Sequence, residues 1–247
     1  VAMDEALQLY KKALLLPGIE VQGVSVHIGS QLVDLAPFAA AFSRVADFVR
    51  ELKNAGIAIK TLDLGGGLGI PYGKDEPPLP DAYAMIVKRE TTGLNCQLVF
   101  EPGRMLVGNA GILVTKVLYV KKSGGRHFVI VDAGMNDLIR PALYEAYHEV
   151  VPVLLPSPYG GEELVDLVGP VCETGDIFAV QRTMPLPKAG ELLVIRSAGA
   201  YGAAMASTYN ARPLVAEVMA HGKEWAVIRP RQTYEEMLGA CKLPKWL

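Results

Sequence analysis

Up to Glu101 an amphipathic stretch ends in a turn and a short apolar run follows, and this happens three times. Such alternation of strand and helix constrains the fold strongly. It calls for parallel βα units, whose working residues gather beyond the carboxyl ends of the strands. The runs Ile19 to His27, Ile59 to Leu64 and Gln97 to Glu101 read as the strands. Ahead of them, residues up to Leu16 are amphipathic and end at Pro17-Gly18. The pattern Leu35, Phe38, Phe42, Val45, Val49, Leu52 predicts a long helix from Leu35 to Ala55 with one buried face, and a further helix is expected near Asp81 to Thr91.

After about Gly108 the pattern changes. Ile112 to Lys121 and His127 to Asp132 flank Ser123-Gly124-Gly125 as a hairpin. Further strands are expected near Glu149 to Leu155, Leu164 to Val168 and Glu191 to Arg196, then a hairpin from Leu214 to Ala220 and Glu224 to Arg229, and a short helix near Tyr234 to Gly239. The fold class is therefore α/β plus β: residues 1–108 as a partial (β/α)8 barrel, residues 109–247 as a carboxyl-terminal β domain. A closed barrel needs roughly 200 to 250 residues, about twice what alternates here. With Val as the first residue, the expectation is a carboxyl-terminal portion of a longer polypeptide; a small open α/β sheet is the alternative.

Chemistry concentrates at the three strand ends. The second carries Leu62-Asp63-Leu64-Gly65-Gly66-Gly67-Leu68-Gly69, where glycines let backbone N–H groups converge on an anion. A bare tight turn is the plainer reading of any glycine run. The spacing fits neither a dinucleotide fingerprint nor a P-loop, so the candidate is a phosphate on another group. The first strand end carries His27 and Ser30, the third Glu101, Gly103 and Arg104. In parallel units all would open on one face; a local ion pair between Glu101 and Arg104 is the alternative. In the β part, Arg140 and Tyr144 lie four apart, on one face of a turn or short helix. Cys172 precedes Glu173, and Tyr201 sits among small residues that leave room for a ligand or for a close chain crossing.

With 24 basic and 26 acidic side chains, and no long basic run, the charge balance proposes neither nucleic acid nor an anionic membrane surface. No uninterrupted apolar run approaches the length of a spanning helix. Three scattered cysteines suit a reducing, cytoplasmic setting, and no metal-ligand spacing is present.

The ordered motifs H-I-G-S-Q, L-D-L-G-G-G-L-G-I-P-Y, E-P-G-R, V-D-A-G-M-N-D-L-I-R-P-A-L-Y, G-P-V-C-E-T-G-D, A-G-A-Y-G-A-A-M and Y-N-A-R-P resemble those of the diaminopimelate decarboxylase family. That family belongs to the alanine racemase-like group of pyridoxal-phosphate enzymes, with the ornithine and arginine decarboxylases. The resemblance implies pyridoxal 5'-phosphate as cofactor and an amino-acid substrate. It implies that Ser30, Gly65, Gly66, Gly67, Gly103, Arg104 and Tyr201 hold the cofactor phosphate, Glu101 faces the pyridine nitrogen and His27 stacks on the ring. Arg104, Arg140 and Tyr144 would bind the substrate's distal carboxylate, with Tyr201 alongside, Glu173 would meet its distal amine, and Cys172 would return a proton to Cα. It also implies a homodimer with shared sites. C-E-T-G-D, where ornithine decarboxylases resemble C-D-G-x-D, and the guanidinium of Arg140 favour a substrate with a distal carboxylate. The family's cofactor-linking lysine stands in a Y-A-x-K-A-N-like motif that this sequence does not contain, so the resemblance implies a chain inactive alone. A non-catalytic, regulatory homologue is the alternative of a different class, and an ornithine or arginine decarboxylase the alternative within the group.

Overall fold

The computed structural model describes residues 1–154 and 161–246, and the chain divides into two compact units, Val1–Val107 and Gly108–Leu247. Unit 1 is built on β1 (Gly23–Ser25), β2 (Thr61–Asp63) and β3 (Gln97–Val99), with β2 in the middle of a parallel sheet. Val24 pairs with Leu62 and Leu62 with Leu98. Each strand is shorter than its apolar run. The residues past Ser25, Asp63 and Val99 leave the ladder to form loops at one end of the sheet, because parallel strands with helical crossovers must turn outward there.

The helices are α1 (Met3–Ala13), α2 (Ala36–Asn54), α3 (Pro80–Thr91) and the short α4 (Gly103–Val107). The expected stripe of α2 is the buried one: Phe38, Phe42, Val45, Val49 and Leu52 are all at most 5% exposed, while Leu35 caps the helix half-buried. Gly56, at φ +80°, ends α2 in the left-handed conformation, and the Ile57 amide reaches back to the Leu52 carbonyl at 3.0 Å. This is the closure that a glycine after a helix makes cheap. Tyr83 of α3 meets Phe38 and Phe42 edge to face, with centroids 5.1 and 5.8 Å away, and the two Phe rings are tilted at 47° to each other. Burial pushes the Tyr83 hydroxyl up to about 12.

Unit 2 carries a six-stranded sheet of β4 (Leu113–Ser123), β5 (Arg126–Val131), β6 (Val150–Pro152), β7 (Glu162–Val168), β8 (Ile177–Pro185) and β9 (Leu192–Ile195), in the order β6-β9-β4-β5-β7-β8. β4 is long enough to pair twice, with β9 through Leu113–Lys116 and with β5 beyond Val117. The β4–β5 turn places Gly124 and Gly125 at positive φ, as a two-residue hairpin demands. A separate hairpin, β10 (Glu217–His221) and β11 (Glu224–Arg229), and the short helices α5 (Arg140–Tyr144) and α6 (Tyr234–Leu238) complete the unit.

Two differences from the sequence pattern have physical causes. β8 is not marked by alternation, because Gln181 takes φ +47° in a bulge and its amide bonds the buried Asp166 Oδ1 at 2.7 Å. A second irregularity, between the Leu167–Ala179 and Val168–Ile177 pairs, leaves Phe178 as an extra residue and puts it and Ala179 in the core consecutively, which breaks the period of two. The last hairpin starts later than the apolar run at Leu214, and Leu155, the end of one expected strand, lies outside the described residues.

Candidate functional site

In unit 1 the loops after β1, β2 and β3 are knitted to one another. Gly65, Gly66 and Gly67 owe their identity to this. A Cβ on Gly66 would stand 2.2 Å from the Glu101 carbonyl oxygen, and one on Gly67 would stand 2.2 Å from that of Gly29. The Glu101 amide donates to the Gly65 carbonyl at 2.8 Å, and the Leu32 amide to that of Gly67 at 2.9 Å. Two of the glycine amides are engaged inside the protein: Gly65 donates to Asp63 Oδ1 at 2.8 Å, and Gly66 to His27 Nδ1 at 3.3 Å. The second bond orients the exposed His27 ring against the glycine loop.

Arg104 spans the same end of the sheet. Its guanidinium donates to Ser30 Oγ at 3.0 Å and to the Tyr72 hydroxyl, and it lies 5.6 Å from the Tyr72 ring centroid. The ion pair weighed for Glu101 and Arg104 does not form; the Glu101 carboxylate is exposed and enters no ion pair among the described residues. His27, Ser30, Gly65 to Gly67, Glu101, Gly103 and Arg104 thus stand together beyond the carboxyl ends of three strands. Lys60 stands at the opposite end, at the start of β2, bonded to Glu20 Oε1 at 3.0 Å.

In unit 2 a set of polar side chains is buried, and most of these hold loops. Cys172 and Glu173 lie exposed on the turn between β7 and β8. Asp176, 3% exposed, staples that turn by accepting from the Val171 amide at 2.6 Å and the Met135 amide at 2.7 Å. Burial pushes the Asp176 carboxyl above its ordinary range, and the two amides and the Arg212 charge pull it part of the way back. Gly169 is required beside it, since a Cβ there would come within 2.3 Å of Asp176 Oδ2. Glu173 Oε2 accepts from the Tyr209 hydroxyl at 3.3 Å.

Asp137 does for the turn at Gly134 what Asp176 does for its neighbour. It accepts from the Gly134 amide and from Asn136 Nδ2, both at 2.9 Å, with Arg212 at 3.8 Å, and burial again raises its carboxyl. Arg140 and Tyr144 do sit on one short helix, yet their surroundings differ. Arg140 is 7% exposed and meets His148, whereas Tyr144 is 61% exposed. The small residues around Tyr201 serve a close chain crossing: the Ala198 amide bonds the Gly111 carbonyl at 2.8 Å, and a Cβ on Gly111 would lie 2.4 Å from the Gly199 Cα. Tyr201 itself, 40% exposed, is held at φ +60°, a conformation that costs a non-glycine residue of order 1–3 kcal/mol.

Sequence reasoning passed over Asp63, Tyr72, His148, Asp137 and the stapling role of Asp176. Only Asp63 carries a local signal, an Asp two residues before the glycine amide that it accepts from.

Comparison with known proteins settles the class. The family described as pyridoxal-dependent decarboxylase, C-terminal sheet domain, matches residues 8–199, so the chain belongs to that family. Within it the chain is a homologue of diaminopimelate decarboxylase. It is 51% identical to the diaminopimelate decarboxylase of Zymomonas mobilis over 249 residues, covering 100% of this chain and 58% of the relative. Among solved structures, AQ1208 from Aquifex aeolicus superposes with a TM-score of 0.94 at 43% identity, over 97% of this chain and 59% of that one. Diaminopimelate decarboxylase from Helicobacter pylori, complexed with L-lysine, superposes with a TM-score of 0.91 at 39% identity, over 97% and 59%. The chain therefore spans under three fifths of the length of the relatives it matches. Among the described residues no helix is long and apolar enough to cross a membrane.

Proposed function

We propose that this chain serves in the pyridoxal-phosphate-dependent decarboxylation of meso-2,6-diaminopimelate to L-lysine and CO2, with unit 1 as βα units of a cofactor-binding barrel and unit 2 as the accompanying β domain. The observation that carries this reading is the cluster beyond β1, β2 and β3: a guanidinium, a hydroxyl, close-packed glycine backbone, an imidazole and an exposed carboxylate. The donor set fits the cofactor. Arg104 and Ser30 would supply a cation and a hydroxyl for a phosphate dianion, with the backbone of Gly65 to Gly67 and of Gly103 beside them; Tyr201 is a phosphate ligand only by the family resemblance. Glu101, outside any ion pair among the described residues, is a suitable partner for a ring nitrogen.

When bound, pyridoxal phosphate supplies an electron sink for the pair left at Cα as CO2 departs. Glu101 would keep the ring nitrogen protonated, and His27, steered by its Nδ1 bond to Gly66, would pack on the ring face. Arg140, with Arg104, Tyr144 and Tyr201, would take the substrate's distal carboxylate, and Glu173 its distal ammonium. Cys172 would return a proton from Sγ to Cα. The three free cysteines fit a reducing cytoplasm, and the working form would be a homodimer in which Cys172 and Glu173 serve the partner's site.

A titration with pyridoxal phosphate, followed by its absorbance, tests the cofactor seat. Wild type should bind, and Arg104→Ala should weaken binding about tenfold or more, the scale of a charge-assisted hydrogen bond. Equal binding by both would overturn the assignment. For the substrate, Arg140→Ala should depress turnover of diaminopimelate by the PLP-loaded full polypeptide; equal loss on ornithine and arginine would remove Arg140 as the selector.

The second reading, of a different class, is a homologue that binds the cofactor without linking it. Among the described residues of unit 1, lysines stand on α1, α2 and α3, at the start of β2 and in the loop past Tyr72, and none stands at the carboxyl end of a strand. Borohydride treatment of the loaded chain separates the two. Cofactor that washes off on denaturation supports the unlinked form, and cofactor retained on a lysine of this chain overturns it.

A further inference from the structure

His148 is the most deeply placed titratable side chain of unit 2, 0% exposed, and both of its ring nitrogens are engaged. Nε2 lies 2.8 Å from Arg140 Nη1, and Nδ1 lies 2.8 Å from the Arg196 carbonyl oxygen. Chemistry leaves one arrangement. A guanidinium only donates, so Nε2 is the bare acceptor, and Nδ1 carries the proton that it gives to the Arg196 carbonyl. The ring is therefore gripped at both ends and cannot turn without breaking a buried hydrogen bond.

The segment that carries it is gripped as well. The His148 carbonyl accepts from Arg182 Nη1 at 3.0 Å, and the Arg182 guanidinium lies 4.1 Å from the Tyr147 ring centroid. Glu149 bonds Arg196 through both side chain, at 2.8 Å, and backbone, at 2.8 Å. On the other side, α5 closes at Glu145 in a left-handed cap. Arg140, itself buried, thus begins a one-turn helix, while the imidazole comes from a segment anchored to β8 and β9.

We infer that His148 is a positioning residue: it holds the Arg140 guanidinium in the orientation that receives the distal carboxylate of the substrate, and so sets the preference for an amino acid over a diamine. This rests on the proposed role of Arg140. A planar fork discriminates only when its plane is fixed, because two parallel N–H bonds to a carboxylate demand alignment that a swinging side chain loses. His148 takes one donor of the five and thereby sets the direction of the rest.

The test compares two ligands by calorimetry on the PLP-loaded full polypeptide. L-lysine carries the carboxylate; cadaverine is the same molecule without it. His148→Gln keeps an acceptor near the Nε2 position, whereas His148→Asn keeps a polar group near Nδ1 and falls short of Arg140. His148→Asn should bind lysine at least tenfold more weakly than wild type, with cadaverine affinity within twofold, and His148→Gln should stay within threefold of wild type for both. Equal lysine affinity in the Gln and Asn variants, or a parallel loss of lysine and cadaverine, would overturn the inference. Arg140→Ala separates that failure from the failure of the underlying reading. If lysine does not bind wild type, or binds Arg140→Ala as it binds wild type, Arg140 does not receive the carboxylate. If Arg140→Ala loses lysine while His148→Asn does not, only the positioning role falls.

Discussion

The two units use the same kinds of polar side chain in opposite ways. In unit 1, His27, Ser30 and Glu101 are exposed beyond the strands, and the loops beneath them are held largely by backbone packed on backbone at glycines, with Asp63 and His27 accepting from two of the glycine amides. In unit 2, Asp137, Asp176, Arg140 and His148 are buried, and the loops are held by side chains that accept from amides. The difference follows from connectivity. Parallel strands with helical crossovers bring all their outgoing loops to one end, where carbonyls and amides of neighbouring loops can meet directly. A mostly antiparallel sheet sends its loops to several edges, so a turn such as 171–176 needs a carboxylate to tie it down.

The contrast breaks most readily at Gly67. Gly67→Ala combines φ +102° with a Cβ 2.2 Å from the Gly29 carbonyl, and it should cost about 3 kcal/mol or more. Hydrogen exchange should show protection lost in residues 1–107 and kept in 108–247; loss in both would mean that the units do not respond separately. Asp176→Ala should cost about 1–3 kcal/mol by leaving two buried amides without their acceptor. Its mark should be local, faster reaction of Cys172 with a thiol reagent, and unchanged Cys172 reactivity would deny the staple.

Acidity sharpens the same point. Because burial raises the folded-state carboxyls of Asp137 and Asp176, their protonated forms are the better tolerated ones. The stability they add is present in acid below the ordinary aspartate range and declines as pH rises through the raised folded values. The deficit of Asp176→Asn in denaturant melts should therefore narrow from acid toward neutral pH; a widening deficit would show that the Val171 and Met135 amides outweigh burial. The smallest effect belongs to Lys60→Ala, which should leave pyridoxal-phosphate affinity within twofold, since Lys60 stands at the far end of β2.

Much of unit 1 is legible in its residues. The stripe from Phe38 to Leu52 names the buried face of α2, and three strand ends name the loops that meet. Unit 2 is less legible, because β8 hides behind the bulge at Gln181 and because a carboxylate such as Asp176 looks the same in sequence whether it is displayed or buried. Arg140 and Tyr144 show the limit of spacing, which put them on one short helix without distinguishing the buried one from the exposed one.

The glycine stretch from Gly65 to Gly69 divides the two kinds of knowledge. By itself the sequence determined that a strand there opens into a backbone free of side chains, since spacing and residue type act locally. Only the tertiary structure decided what the bare backbone is for. Gly66 and Gly67 admit the carbonyls of Glu101 and Gly29, which are distant in the chain, and Gly66 gives its amide to His27. Close approach between separate loops is a property of how strands pair, and no local pattern encodes it. The same holds for His148 and Arg140, joined by a buried hydrogen bond that depends on the shielding of both from water.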